Sequence, residues 1–331
     1  MSEAARRALV LGATGFIGGQ IARAAIGRGW QVRAARRRPD FSGAIGDLSG
    51  VEWVRADLAD SDSLVAAMRG VDVVFHAAAR YAHTGRRIDR QIAEARAEMQ
   101  RVLSTAWQAG VRRLIYTSTL TTIGPAIDPG QLADERSPYV PGSARDAYHE
   151  LKWAMEQTAL HDAPDGLEVV TLCPTVVFGP GDVHLSISKP LLAIARGQVG
   201  FSLDGVVNVV DVRDVAEAHV VAAVRGRAGE RYILGGHNLS IAGFITLAAR
   251  IAGVAPPRWR VPDAVLNVIG GLSAWLPADP AAVLRSRRLS QPLSSAKAEA
   301  ELGLSPRPLA DTLRDALAWF RAGGSLESRM V

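Results

Sequence analysis

The stretch "ALVLGATGFIGGQIARAAIGRG", residues 8–29, decides the fold. "ALVL" is a short apolar run suited to a buried strand, and Gly12, Gly15 and Gly18 follow it at once. The segment beyond them has helical periodicity and ends at Gly29, and "QVRAAR", 31–36, reads as the next strand. Glycines between a strand and a helix let the backbone close on a pyrophosphate, whose charge meets the unpaired N–H groups of the helix start. Strand, turn, helix and strand in this order predict a parallel α/β unit with a dinucleotide site.

The exit of the second strand carries the choice of nucleotide. A carboxylate there would accept hydrogen bonds from an unmodified adenosine ribose, but this chain has Arg36, Arg37 and Arg38. Guanidinium groups suit a 2′-phosphate, so the expectation is NADP (as NADPH) over NAD. "VRADLAD", 54–60, places Asp57 to accept from an adenine amino group and Leu58 against the ring. "VDVVFHAAAR", 71–80, is a further apolar strand, and Ala77, Ala78 and Ala79 leave room for the cofactor beside the backbone. His76 at that strand end is expected to make a structural hydrogen bond.

A chain of 331 residues buries one or two sizeable cores. Hydrophobic residues at 48% and charged residues at 21% are ordinary for a soluble globular protein. Lys+Arg 38 against Asp+Glu 33 leaves a formal charge of +5, spread along the chain, which argues against a nucleic-acid partner. The single cysteine, Cys173, excludes an intramolecular disulfide and fits a reducing, cytoplasmic setting. The N-terminus turns polar and glycine-rich too soon for a signal peptide. "AVLNVIGGLSAWLPA", 264–278, holds 15 residues and is short for a transmembrane span. It reads as a buried helix, a lid or an apolar surface touching lipid, in that order. No metal is expected.

"VRRLIYTSTLTTIG", 111–124, reads as a strand and a turn that bring Thr117, Ser118 and Thr119 to the C-terminal strand edge, where such sheets bind ligands. Further on comes "YHELK", 148–152, in a helix-compatible segment. Positions i and i+4 share one helical face, so Tyr148 and Lys152 can converge on one cofactor, although an ordinary surface helix has the same spacing. A nearby ammonium favours the phenolate of a tyrosine. Tyr148 can then protonate an alkoxide in ketone reduction or deprotonate an alcohol in oxidation. Lys152 can hold the nicotinamide ribose, and Thr119 can orient the substrate oxygen.

These segments together resemble the extended short-chain dehydrogenase/reductase superfamily, in its NAD(P)-dependent epimerase/dehydratase branch. Within it the chain looks like the dihydroflavonol-reductase-like proteins and the hopanoid-associated sugar epimerases. The resemblance rests on "GATGFIG" at 12–18, "ADL" at 56–58, "HAAA" at 76–79, "YTST" at 116–119 and "YHELK". It continues through "CPTVVFGPGD" at 173–182, "NVVDVRDVAEAH" at 208–219, "YILGGHNLS" at 232–240 and a closing segment over 294–320. It implies a Rossmann-type doubly wound parallel sheet with a smaller C-terminal substrate domain. The cofactor domain would span 1–172 and be rejoined by 206–235, with 173–205 and 236–331 as the substrate region.

The resemblance also implies roles for residues. Thr119, Tyr148 and Lys152 match the catalytic set, and Gly12, Thr14, Gly15, Phe16, Ile17 and Gly18 match the cofactor turn. Arg37 matches a ribose-phosphate position, and Arg36 falls where many NAD-using relatives are acidic. Thr117, Pro174, Thr175 and Val176 join Tyr148 and Lys152 around the nicotinamide. A homodimer through helices near 91–109 and 144–161 is implied, and Asp214 is expected to cap the helix that follows it. One departure stands out. Relatives carry an asparagine that supports a relay water beside the lysine, whereas Ala95, Glu98, Met99 and Arg101 occupy that pattern here.

The expected function is NADPH-dependent reduction of a ketone or aldehyde on a fairly apolar small molecule, with Tyr148 as proton donor. Trp259, Leu266, Ile269, Leu272 and Trp275 are candidates for the apolar wall. The first alternative is a sugar or sugar-nucleotide epimerase/dehydratase, with Arg196, Arg213, Arg258 and Arg260 as groups for a diphosphate. The second is an NADP-binding regulator without turnover. The partner in either enzyme is a small carbonyl or alcohol substrate.

Overall fold

In the computed structural model the described residues are 6–38, 40–78, 87–144, 146–261, 291–323 and 326. Ala79 and the segment 264–278, with Leu266, Ile269, Leu272 and Trp275, lie outside them. The N-terminal half alternates strands and helices. It runs β1 (Arg7–Leu11), α1 (Phe16–Gly27), β2 (Gln31–Arg36), β3 (Val51–Arg55), α2 (Ser61–Met68), β4 (Val73–His76) and α3 (Ile88–Gln108). β5 (Arg113–Thr117), α4 (Ala147–His161) and β6 (Glu168–Pro174) complete it.

These strands pair in parallel in the order β6-β5-β4-β1-β2-β3, and β10 (Arg231–Leu234) adds a seventh at the β6 edge. The order reverses at β1, which lies between β2 and β4, so the crevice for a ligand opens at the C-terminal ends of β1 and β4. Both strands are almost wholly buried because helices cover both faces of the sheet. On one face α1 and α6 (Val212–Arg225) enclose Ile21, Phe75, Val170 and Val215. On the other, α3 and α4 pack Val102, Leu103, Leu151 and Met155 over Leu9, Leu11 and Tyr116.

The smaller part begins with β7 (Val176–Phe178), α5 (Lys189–Ala195), β8 (Phe201–Leu203) and β9 (Val206–Asp211). After α6 and β10 it continues with β11 (His237–Ser240), α7 (Ile241–Ala252) and β12 (Trp259–Val261). Helices α8 (Ala296–Leu302) and α9 (Leu309–Ala322) follow. β11, β9 and β7 form a three-stranded sheet, and β12 pairs β8. α5, α7 and α9 bury Leu191, Phe244, Leu313 and Leu317 against it, with Phe178 stacked on Phe244 at 5.3 Å. The cap of α6 is Asp211, which accepts from the Arg213 amide at 2.8 Å. Asp214, expected to be the cap, instead accepts from the Arg307 amide and guanidinium and so ties α6 to the chain before α9. Among the described residues no helix is long and apolar enough to cross a membrane.

Candidate active site

The turn between β1 and α1 is built from backbone. Gly12 has φ +86, a conformation that favours glycine, and a Cβ there would lie 2.6 Å from the Ala78 nitrogen. A Cβ on Gly18 would lie 2.2 Å from the Gly12 carbonyl oxygen. The Gly15 amide donates to that same oxygen at 2.9 Å, which closes the turn. Gly15 caps α1 with no side-chain bond and the first turn holds no acidic residue, leaving the helix start to an anion. This bare cradle fits a dinucleotide pyrophosphate. From the same helix, the Gln20 amide donates to the Pro180 carbonyl at 3.1 Å, joining α1 to the loop after β7.

The arginines at the β2 exit engage aromatic faces. The Arg36 guanidinium lies 4.8 Å from the Trp53 ring centre, and that of Arg38 lies 5.7 Å from Phe41. Arg37 is exposed. Asp57 turns one carboxylate oxygen onto the Ala59 amide at 3.0 Å, and the Leu58 carbonyl accepts from Arg101 at 2.8 Å. Ala77 and Ala78 are half-buried beside Gly12.

The Asp146 carboxylate starts α4 by accepting from the amides of Tyr148 at 3.0 Å and His149 at 3.3 Å. Tyr148 is half-buried, its ring edge-on to His149. One turn on, Lys152 is only 4% exposed, and its ammonium donates to the Tyr116 hydroxyl at 2.8 Å and the Thr117 carbonyl at 3.0 Å. Burial lowers its pKa to about 8, against the opposing pull of Glu156. Burial likewise pushes the Tyr116 phenol above its ordinary range, with the charge of Glu156 adding to it.

A second buried carboxylate organises the hydroxyl turn. Glu156, a further turn along α4, accepts from the Ser118 hydroxyl and, at 2.6 Å, from the Thr122 hydroxyl. Thr119 lies between them, half-buried, with its hydroxyl accepting from the Thr121 amide at 3.4 Å. The Thr117 hydroxyl faces away from Lys152 to His219 Nε2 at 2.9 Å, while His219 Nδ1 lies 2.7 Å from the Val215 carbonyl. With Nδ1 donating to that carbonyl, Thr117 is the donor to Nε2.

Helix α4 thus carries Tyr148 and Lys152, and the Lys152 ammonium meets the end of β5, two residues before Thr119. Thr175 bonds Asn208 at 2.8 Å, Pro174 ends β6 and Val176 starts β7. His76 departs from expectation: it is fully buried beside Tyr116, and neither ring nitrogen has a hydrogen-bond partner among the described residues. Burial, and then the charge of Lys152, lowers its pKa to about 3. Arg213 is paired with Asp211 and Asp315, each at 2.7 Å, and Arg260 with Asp204 at 2.5 Å. Trp259 is 77% exposed and so does not stand in an enclosed wall. Tyr116 and Glu156 went unread in the sequence. Glu156 was findable as the next i+4 position after Lys152, whereas Tyr116 looks like one more apolar strand residue.

The model of the NAD dependent epimerase/dehydratase family matches residues 8–235. A Synechocystis sp. protein provisionally named a dihydroflavonol 4-reductase is 31% identical, over 97% of this chain and 96% of its own. Sterol demethylase protein B of Methylococcus capsulatus is also 31% identical, over 96% of this chain and 99% of its own. The crystal structure of a nucleoside-diphosphate-sugar epimerase from Pseudomonas aeruginosa, PA4631, superimposes with a TM-score of 0.82 at 29% identity, covering 97% and 99% of the two chains. Two more distant structures share the fold and hold NAD. They are a dTDP-glucose 4,6-dehydratase from Streptomyces venezuelae (23% identity, TM-score 0.72) and Bordetella bronchiseptica WbmH (21%, 0.73). NAD in these structures corrects the expectation of NADP, and the stacking of Arg36 and Arg38 gives a physical reason why an arginine-rich exit need not read a phosphate. By the family match and these identities, the chain is an NAD(P)-dependent enzyme and belongs to the NAD dependent epimerase/dehydratase family.

Proposed function

We propose that this protein uses NAD to oxidise a secondary alcohol of a sugar or sugar nucleotide to the ketone, which turns in the site and is reduced again on its opposite face, as in an epimerase. The observation that carries the assignment is the buried Lys152 ammonium, fixed one helical turn from Tyr148. The bare Gly12–Gly18 cradle supports a dinucleotide, and the NAD of the structural relatives supports its kind. When bound, NAD supplies the hydride acceptor and donor.

The residues of the chain manage the proton. Tyr148, with its phenolate favoured by the cation of Lys152, takes the hydroxyl proton as the carbonyl forms and gives it back on return. Thr119 orients the reacting oxygen. Ala77, Ala78, Pro174, Thr175 and Val176 line the cofactor in this proposal. Residues 1–172 with 206–235 serve the cofactor, 173–205 with 236–331 serve the substrate, and two copies pair through α3 and α4.

A second assignment, oxidoreduction of an apolar alcohol or ketone, draws support from the relatives named for a sterol and a dihydroflavonol. The internal pairing of Arg213 and Arg260, which removes two cations from a diphosphate site, also favours it. Incubation with NAD and either nucleoside-diphosphate sugars or hydroxysteroids separates the two. Epimer formation without net NADH supports the first, and stoichiometric NADH from an apolar alcohol replaces it with the second. Turnover of neither class removes both.

A further inference from the structure

Lys152 is held from beneath by a residue that belongs to no part of the assignment above. Its ammonium has three N–H groups, and two of them end on β5, at the Tyr116 hydroxyl and the Thr117 carbonyl. The ammonium also sits 4.7 Å from the centre of the Tyr116 ring, so Tyr116 meets it with both an oxygen lone pair and a π face. Tyr116 is itself completely buried, in one apolar cluster with Leu114, Leu151 and Met155. On α3, Ala95 is fully buried in the same cluster and offers no polar group to the lysine.

We propose that Tyr116 is the positioning residue of this site: its hydroxyl anchors the Lys152 ammonium, so that the remaining N–H is aimed toward Tyr148 and the cofactor ribose. The inference rests on the assignment of Lys152 as the cation beside Tyr148. A charged amine buried this deeply needs strong acceptors to stay protonated. The other groups that face the pair are His76 from β4, Glu98 from α3, Tyr148 and Glu156 from α4, and Cys173 from β6. Burial opposes the ammonium, while Glu156, Cys173 and Glu98 favour it. Removing the Tyr116 oxygen therefore shifts Lys152 toward its neutral form, and Tyr148 loses the charge that favours its phenolate.

Tyr116→Phe keeps the ring and deletes only the hydroxyl. In the NAD-loaded enzyme its kcat is expected to fall roughly ten-fold, with the substrate KM little changed. An alkaline limb of the kcat profile that follows loss of the Lys152 proton is expected to move down by about one pH unit. A lower melting temperature with both limbs unmoved would mean a merely structural tie and would overturn the proposal. Should the phenylalanine form not fold, a fluorinated tyrosine at 116 keeps the ring and hydroxyl but weakens the oxygen as an acceptor. It must move the same limb in the same direction, and an unmoved limb again overturns the inference. Tyr148→Phe is run in parallel. Full activity there sinks the catalytic assignment itself, whereas loss of activity there with an unaltered Tyr116→Phe profile sinks only the role of Tyr116.

Discussion

Glu156 Oε1 lies 3.0 Å from the Arg231 guanidinium, a contact that joins α4 to β10 through the interior. The carboxylate side chain is fully buried and that of Arg231 is 14% exposed. The same carboxylate holds the hydroxyls of Ser118 and Thr122 on either side of Thr119, and Arg231 also donates to the Thr122 carbonyl at 3.0 Å. One ion pair thus fixes a helix, an edge strand and the hydroxyl turn. Arg231→Met leaves the carboxylate buried without its cation and is expected to cost about 3–5 kcal/mol in urea unfolding. Glu156→Gln, which keeps an acceptor for the hydroxyls, is expected to cost less. Equal stability of Arg231→Met and the parent would show that the pair is solvated in solution.

Tyr148→Phe removes the proposed proton carrier and little else. Turnover is expected to fall by roughly 10²- to 10⁴-fold while NAD still binds, followed by fluorescence titration. Unaltered turnover would remove Tyr148 from the chemistry.

Lys152 sets up a pH dependence of stability. Its pKa is lowered from 10.5 to about 8 on folding, so between those values the unfolded chain binds more protons and stability rises with pH. The cost of burying the ammonium is therefore complete below pH 8 and is relieved toward pH 10.5. Lys152→Met is expected to be inactive yet more stable than the parent at pH 7, with the gap closing across that window. Denaturant midpoints measured at several pH values check both the sign and the window.

On the acid side, His76 and His219 are buried as neutral rings, with pKa values lowered from 6.5 to about 3 and about 4 by burial. Stability is whole above pH 6.5 and is lost as the pH falls toward those values. Each histidine contributes a slope of about 1.4 kcal/mol per pH unit. His76→Phe should remove one such slope from the acid unfolding curve, and an unchanged curve would contradict the burial assigned to it.

Gly18→Ala tests the cofactor cradle. Its Cβ would stand 2.2 Å from the Gly12 oxygen and 2.7 Å from the Gly12 carbonyl carbon, both backbone atoms of the turn itself. The clash is expected to cost about 1–3 kcal/mol of stability and to raise the NAD dissociation constant at least about ten-fold. Unchanged NAD binding would place the cofactor elsewhere.

The parts of the fold legible in the sequence were those whose signals are local. β1, the glycine turn, α1 and β2 follow from adjacent residues, and the Tyr148–Lys152 spacing follows from one helical turn. What escaped depends on pairing across the sheet. Arg36 reads as a phosphate ligand until β2 pairs with β3 and brings Trp53 under its guanidinium. Tyr116 reads as core because only the register of β5 beside α4 turns its hydroxyl to Lys152. Asp211 caps α6 in place of the expected Asp214, whose carboxylate is claimed by Arg307, 93 residues beyond it.

The place of β10 at the edge of the main sheet has a consequence for synthesis on the ribosome. Six strands are translated in unbroken succession, but the seventh follows only after the chain has laid down β7, β8 and β9. Until Arg231 emerges, the β6 edge has no neighbour and Glu156 has no cation, so a nascent chain halted earlier exposes an apolar edge over a buried charge. Such an arrested chain should be cut readily by protease, and one extended well past Leu234 should resist it. The seven-stranded sheet is thus sealed late, by a strand borrowed from the second half of the message.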